Sequence, residues 1–157
     1  MKKLTWSADF EIGSIKDLNE ADRELIHIAK QNREHAYAPY SRFKVSAVAK
    51  MESGETVAGL NQENAAYPSG LCAERVALFA AGAHYPTSKV ETLVILTQSI
   101  GDVPATSCGA CRQVMMESEN RQSQPIRVLF VDEEGKVLIT KSVADLIPFA
   151  FHADRLG

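Results

Sequence analysis

The sequence has no apolar run near the roughly 18–20 residues that a membrane span requires. It has no internal repeat, no low-complexity segment and no shift of composition that would mark a domain boundary. Met1-Lys2-Lys3 opens basic, but no apolar core follows, so the N-terminus does not read as a secretory signal. Cysteine is scarce: there are three, an odd number, in a chain with no export signal. Disulfides are therefore a poor reading, and metal binding or catalysis is a better one. A basic excess is missing too, since Lys plus Arg is 17 against 20 Asp plus Glu, a net charge of −3. That balance argues against gripping a phosphate backbone, and no basic or aromatic stripe stands out for single-stranded nucleic acid. Together these absences predict a cytoplasmic protein with neither a membrane nor a nucleic acid as its partner.

What is present is ordinary globular material: 157 residues, 45% hydrophobic and 24% charged. This length predicts a single domain over residues 1–157 with a sizeable core, residues 1–14 forming an arm or an edge strand. Asn19 is an N-cap candidate, and Ala21, Leu25, Ile28 and Ala29 recur at helical spacing, which predicts a helix stopped by Pro39. Phe43 to Met51 alternates as a strand. Ser53-Gly54 turns it into a return strand from Glu55 to Asn61. Cys72 to His84 reads as a helix, Val90 to Leu96 as a central strand, and Cys108 to Glu117 as a further helix. Ile126 to Val131 and Lys136 to Thr140 read as strands, and Ser142 to Leu146 as a short helix closed by Pro148. Helices alternating with strands predict an α/β protein, a sheet with helices on its faces.

The three cysteines fall in two short segments, Cys72-Ala73-Glu74-Arg75 and Cys108-Gly109-Ala110-Cys111-Arg112. Both segments open predicted helices, where a thiol loses its proton readily and becomes a metal ligand. Three thiolates meeting at one point would hold Zn²⁺ and leave a fourth position open, as in catalytic zinc sites. Glu74, two residues past Cys72, is placed to take a proton from an activated water and pass it on. Arg75 and Arg112 would offset the net negative charge of such a site. A redox pair at Cys108 and Cys111 would leave Cys72 unexplained. A closed structural site would need a fourth ligand from His27, His35, His84 or His152, none of which sits at a ligand spacing.

Cys72-x-Glu74 followed by Cys108-x-x-Cys111 resembles the zinc deaminase signature. The chain resembles the small, homotetrameric cytidine deaminases with three cysteine ligands. The segments Tyr37–Phe43, Asn61–Leu71, Leu146–Pro148 and Phe151 extend the likeness over roughly residues 20–151. The resemblance implies a three-layer α/β/α fold with a mixed sheet. It also implies one Zn²⁺ per subunit on Cys72, Cys108 and Cys111, with Glu74 as the catalytic proton carrier. Substrate contacts would come from Phe43 on the pyrimidine ring, Asn61 and Glu63 on the ribose, Ala73, and Phe151 in a neighbouring subunit's site. Arg75 and Arg112 would stand behind the metal. The implied reaction is hydrolysis of cytidine or deoxycytidine to the uracil nucleoside and ammonia, in pyrimidine salvage.

Without the zinc motif, Asn61 and Glu63 would read as a polar hairpin exit and Phe43 as core. Two positions depart from the family's pattern. Ser107 replaces a proline, which predicts a looser loop, and Ser46 replaces a glycine, which predicts a narrower pocket. They leave room for another small aminopyrimidine, such as a blasticidin-S-like nucleoside. A non-catalytic zinc module that assembles subunits is a further alternative.

Overall fold

The computed structural model describes residues 1–156. Their strands are β1 (Glu11–Ser14), β2 (Ser46–Met51), β3 (Thr56–Leu60), β4 (Val90–Leu96), β5 (Arg127–Val131) and β6 (Lys136–Thr140). Their α-helices are α1 (Glu20–Arg33), α2 (Ala73–His84) and α3 (Gly109–Gln122). The strands form one sheet in the order β1-β6-β5-β4-β2-β3. β4 and β5 run parallel, and every other neighbouring pair is antiparallel, so the sheet is mixed. Between β4 and β5 lies α3, the kind of crossover that a parallel pair needs. Among the described residues, no helix is long and apolar enough to cross a membrane.

Period-two alternation in the central strands divides the core into two. Ala47, Ala49, Met51, Leu93, Ile95, Val128 and Phe130 face α2 and α3, with Ala73, Ala77, Leu78, Ala81, Met115 and Met116. Val48, Val94, Leu96, Leu129, Val131 and Val137 face Leu25, Ile26 and Ala29 of α1. The architecture is three-layered, one helix on one face and two on the other, as the resemblance implies. β2 has no solvent face; its Val48 is as deeply buried as Ala47 and Ala49.

α1 starts where the sequence places it. The Asn19 side chain accepts from Asp22 N at 2.8 Å. It ends at Arg33, well before Pro39, because Tyr37 leaves the helix to bridge Gln62. β1 is the edge strand expected near the N-terminus, paired with β6. The short helix after β6 is a 3₁₀ turn, Val143–Leu146, capped by the Ser142 hydroxyl.

Two contacts fix the helices that carry the cysteines. A Cβ on Gly59 would lie 2.3 Å from Ala77 N and 2.5 Å from Ala73 O. Only a residue without a side chain lets β3 and α2 approach so closely. Buried Glu119 of α3 accepts from Ile126 N (2.8 Å), Val143 N (2.8 Å) and Ser142 Oγ (2.7 Å). It ties the far end of α3 to the entry of β5 and to the 3₁₀ turn.

Candidate active site

Cys72 is the N-cap residue of α2 and Cys108 the N-cap residue of α3. The two helix N-termini meet, and Cys111 reaches the same point from the first turn of α3, wholly buried. The three Sγ atoms lie within 4.8 Å of one another. Thiolates are soft donors that suit zinc, and ligands about 2.3 Å from one ion fall roughly 4 Å apart. The cluster therefore fits a zinc ion. Among the described residues no histidine or carboxylate joins it, so a bound ion would keep a position free of protein.

The helix ends favour negative charge there. The Cys72 thiol is held down to about 6, chiefly because the Cys111 thiol donates a hydrogen bond to its sulfur. The Arg75 guanidinium, 3.9 Å from Cys72 Sγ, adds to this against burial and the Glu74 carboxylate. Cys111 is pushed far up for the complementary reason: its proton is the one that Cys72 accepts. Arg75 Nε is buried without a hydrogen-bond partner, facing a site that is built for negative charge. Arg112 directs its donors to the loop before Cys108 and to the C-terminal segment. Its Nε donates to Ser107 O (2.8 Å), its Nη1 to Leu146 O (2.7 Å) and its Nη2 to Thr106 Oγ1 (2.8 Å). The loop before Cys108 is thus clamped by arginine where a proline would have stiffened it.

A cavity of about 690 Å³ opens onto the cluster, within the range of small-molecule sites. Cys72, Ala73, Glu74, Arg75 and Cys108 line it, as do Phe43, Asn61, Glu63 and Ser107. Ser46 does not line it: its side chain is buried within the sheet, with its hydroxyl unpartnered. The expected narrowing therefore finds no support, and the cavity wall at that strand is Val45 instead. Glu74 is buried, and its Oε1 accepts from Ser107 Oγ at 2.6 Å.

Asn61 and Glu63 carry structural duties as well as facing the cavity. Asn61 Oδ1 accepts from Val45 N and its Nδ2 donates to Phe43 O, each at 2.9 Å. Glu63 Oε2 accepts from Tyr40 N (2.9 Å) and Ser41 N (3.2 Å), and Oε1 accepts from the Ser41 hydroxyl. That hydroxyl, first, and the two backbone groups hold the Glu63 carboxyl below the usual range. Arg42, next to Phe43, adopts a left-handed backbone (φ 58°), rare for a residue with a side chain and found where a loop must present its neighbour. Phe151 lies elsewhere. It is 58% exposed, with its backbone N–H and carbonyl both bonded to the Gln113 side chain, and it does not line this cavity.

The family model of the cytidine and deoxycytidylate deaminase zinc-binding region matches residues 19–125. With the cysteine cluster it defines a zinc-dependent hydrolytic deaminase, with one ion per chain. A cytidine deaminase of Halalkalibacterium halodurans is 40% identical over 137 residues, covering 87% of this chain and 98% of that one. A cytidine deaminase of Sporosarcina psychrophila is 40% identical over 134 residues, 85% of this chain and 93% of that one. The crystal structure of cytidine deaminase from Burkholderia pseudomallei superposes with a TM-score of 0.74 at 39% identity, covering 85% of this chain and all of that one. The chain belongs to the cytidine and deoxycytidylate deaminase family.

Proposed function

We propose that this protein hydrolyses cytidine and deoxycytidine to uridine and deoxyuridine, releasing ammonia, in cytoplasmic pyrimidine salvage. The observation that carries the reading is the cluster of three thiols, two of them in the lining of the cavity that holds a buried carboxylate and the Asn61–Glu63 pair. Cys72, Cys108 and Cys111 would hold the zinc, with Arg75 beside the sulfurs. Bound there, zinc supplies the Lewis acidity that makes water a nucleophile at neutral pH.

The remaining work falls to side chains. Glu74 takes a proton from the attacking water and delivers it to N3 of the base, which makes C4 electrophilic. Hydroxide adds to C4. Glu74 then carries the second water proton to the 4-amino nitrogen, the C4–N bond breaks, and ammonia departs as the C4 carbonyl forms. Phe43 and Ala73 would bound the ring, and Asn61 and Glu63 would pair the ribose hydroxyls. A site that pairs hydroxyls rejects ligands lacking them.

Residues 1–157 would act as one domain, with the residues ahead of β1 as its arm, in a homotetramer whose Phe151 completes a neighbour's site. Support comes from the large exposed aromatics Phe79 (53%) and Phe149 (81%), side chains of a kind enriched where subunits meet.

The test is the ultraviolet absorbance change when zinc-loaded protein meets cytidine and, separately, deoxycytidine. Conversion is expected with both, and Glu74→Ala is expected to keep its zinc and lose 10²- to 10⁴-fold or more in turnover, roughly the contribution of a positioned proton carrier. No conversion by zinc-loaded protein overturns this substrate assignment. Undiminished turnover in Glu74→Ala overturns the mechanism.

A further inference from the structure

We propose that Ser107 is a positioning residue for Glu74, its hydroxyl holding the carboxylate in the orientation that proton transfer needs; this rests on the deaminase reading above. Both side chains are buried, each residue 5% exposed, so bulk water does not compete for the bond. Ser107 Oγ donates to Glu74 Oε1 at 2.6 Å, a short hydrogen bond between hydroxyl and carboxyl oxygens.

Glu74 has a reason to sit elsewhere. It lies in the first turn of α2, where free backbone N–H groups seek an acceptor. The N-cap residue, Cys72, makes no side-chain cap that would satisfy them. A carboxylate in that first turn is attracted to its own helix end by the macrodipole, away from substrate. The Ser107 hydroxyl draws Oε1 across to the loop before α3 and leaves Oε2 for the proton. The loop itself is firm, because Arg112 binds both Ser107 O and Thr106 Oγ1 at 2.8 Å.

The bond also suits both halves of the cycle. A hydroxyl can donate to Oε1 whether Oε2 carries a proton or not, so Glu74 can load and unload without losing its anchor. A proline at this position would have no donor to offer. Ser107 is thus the point where this chain replaces a stiff ring with a hydrogen bond to the acid.

The experiment is Ser107→Ala, with Ser107→Thr as the conservative variant, each checked for zinc content. The expected result for Ser107→Ala is kcat for cytidine lower by roughly 10- to 100-fold, the range for a slightly misplaced group, with KM little changed. Ser107→Thr is expected to recover most of the loss. A second readout needs no turnover: binding of a nucleoside with a tetrahedral, hydroxyl-bearing C4, compared with binding of uridine. Ser107→Ala should weaken the first and spare the second, because only the tetrahedral mimic engages the acid as the transition state does. In a Glu74→Ala background, Ser107→Ala should change neither.

An unchanged kcat, or an equal loss of both ligands, overturns the Ser107 assignment while leaving the deaminase standing. So does the same loss of the tetrahedral ligand with and without Glu74. Failure of the wild type to deaminate cytidine, deoxycytidine or any other 4-aminopyrimidine nucleoside overturns both.

Discussion

Arg75 brings its guanidinium within 3.9 Å of Cys72 Sγ, one turn along the helix that the cysteine caps. The hydrogen bond from the Cys111 thiol, first, and then the guanidinium favour a thiolate at Cys72 and lower it from the ordinary 9.0 to about 6 against burial and the Glu74 carboxylate.

In chelator-treated, metal-free protein, alkylation of Cys72 should set in with a midpoint near pH 6. The sign for stability follows. Between about 6 and 9.0 the folded chain carries a thiolate that the unfolded chain would protonate. Stability of the metal-free protein should thus rise with pH across that window and be lost as pH falls through about 6. Zinc retention should fail on the same acid side, where protons compete for the sulfurs. Arg75→Ala should move the alkylation midpoint upward; an unmoved midpoint contradicts the role given to the guanidinium.

Gly59→Ala should loosen the joint between β3 and α2. The new methyl meets backbone atoms of Ala73 and Ala77, which have no rotamer by which to yield. A loss of about 1–3 kcal/mol is expected in urea denaturation, the cost of overpacking. Zinc affinity should fall with it, since Cys72 and Glu74 ride on the displaced end of α2.

Glu119→Ala should destabilise the fold by about 3 kcal/mol, because it strands two buried backbone N–H groups and a serine hydroxyl. Glu119→Gln keeps an acceptor oxygen and should lose less. Thermal unfolding of both variants checks the ranking. Because Glu119 does not line the cavity, kcat at low temperature should stay near that of the wild type in both.

Glu63→Gln should raise KM for cytidine by roughly tenfold with kcat nearly unchanged, the pattern of a lost ground-state contact. The Ser41 hydroxyl keeps the native carboxyl ionised below the usual range, so wild-type KM should stay flat into mild acid. Initial rates across pH decide it.

The sequence announced its chemistry more clearly than its joints. Cys72 and Cys108 each open a helix, and both positions follow from local signals: a loop, then an alanine- or glycine-led helical run. β4 announced itself through Leu93-Val94-Ile95-Leu96, an apolar run that only a strand covered on both faces can bury. Pro39 misled as a stop for α1, because the helix ends where Tyr37 finds a partner on another segment, something periodicity does not register. The alternation over Phe43 to Met51 gave β2 its strand but not its burial on both faces, because polar Ser46 and Lys50 share a face with Val48, which meets α1. Gly59, Glu119 and the Ser107 hydroxyl stayed hidden for a related reason. Each matters for what lies opposite it in space, and a single sequence carries no record of that neighbour. A buried-face glycine in a short strand was the one available hint of a close crossing.

Arg112 and Gln113 are consecutive residues near the start of α3. The first grips the loop that presents Ser107 and, through Leu146 O, the start of the C-terminal segment. The second grips Phe151 by both its backbone groups, at 2.8 and 3.2 Å. The outer segment that carries Phe151 and the loop that carries Ser107 are thus anchored to neighbouring residues of one helix, so the molecule's aromatic outer edge and its reacting centre share one support.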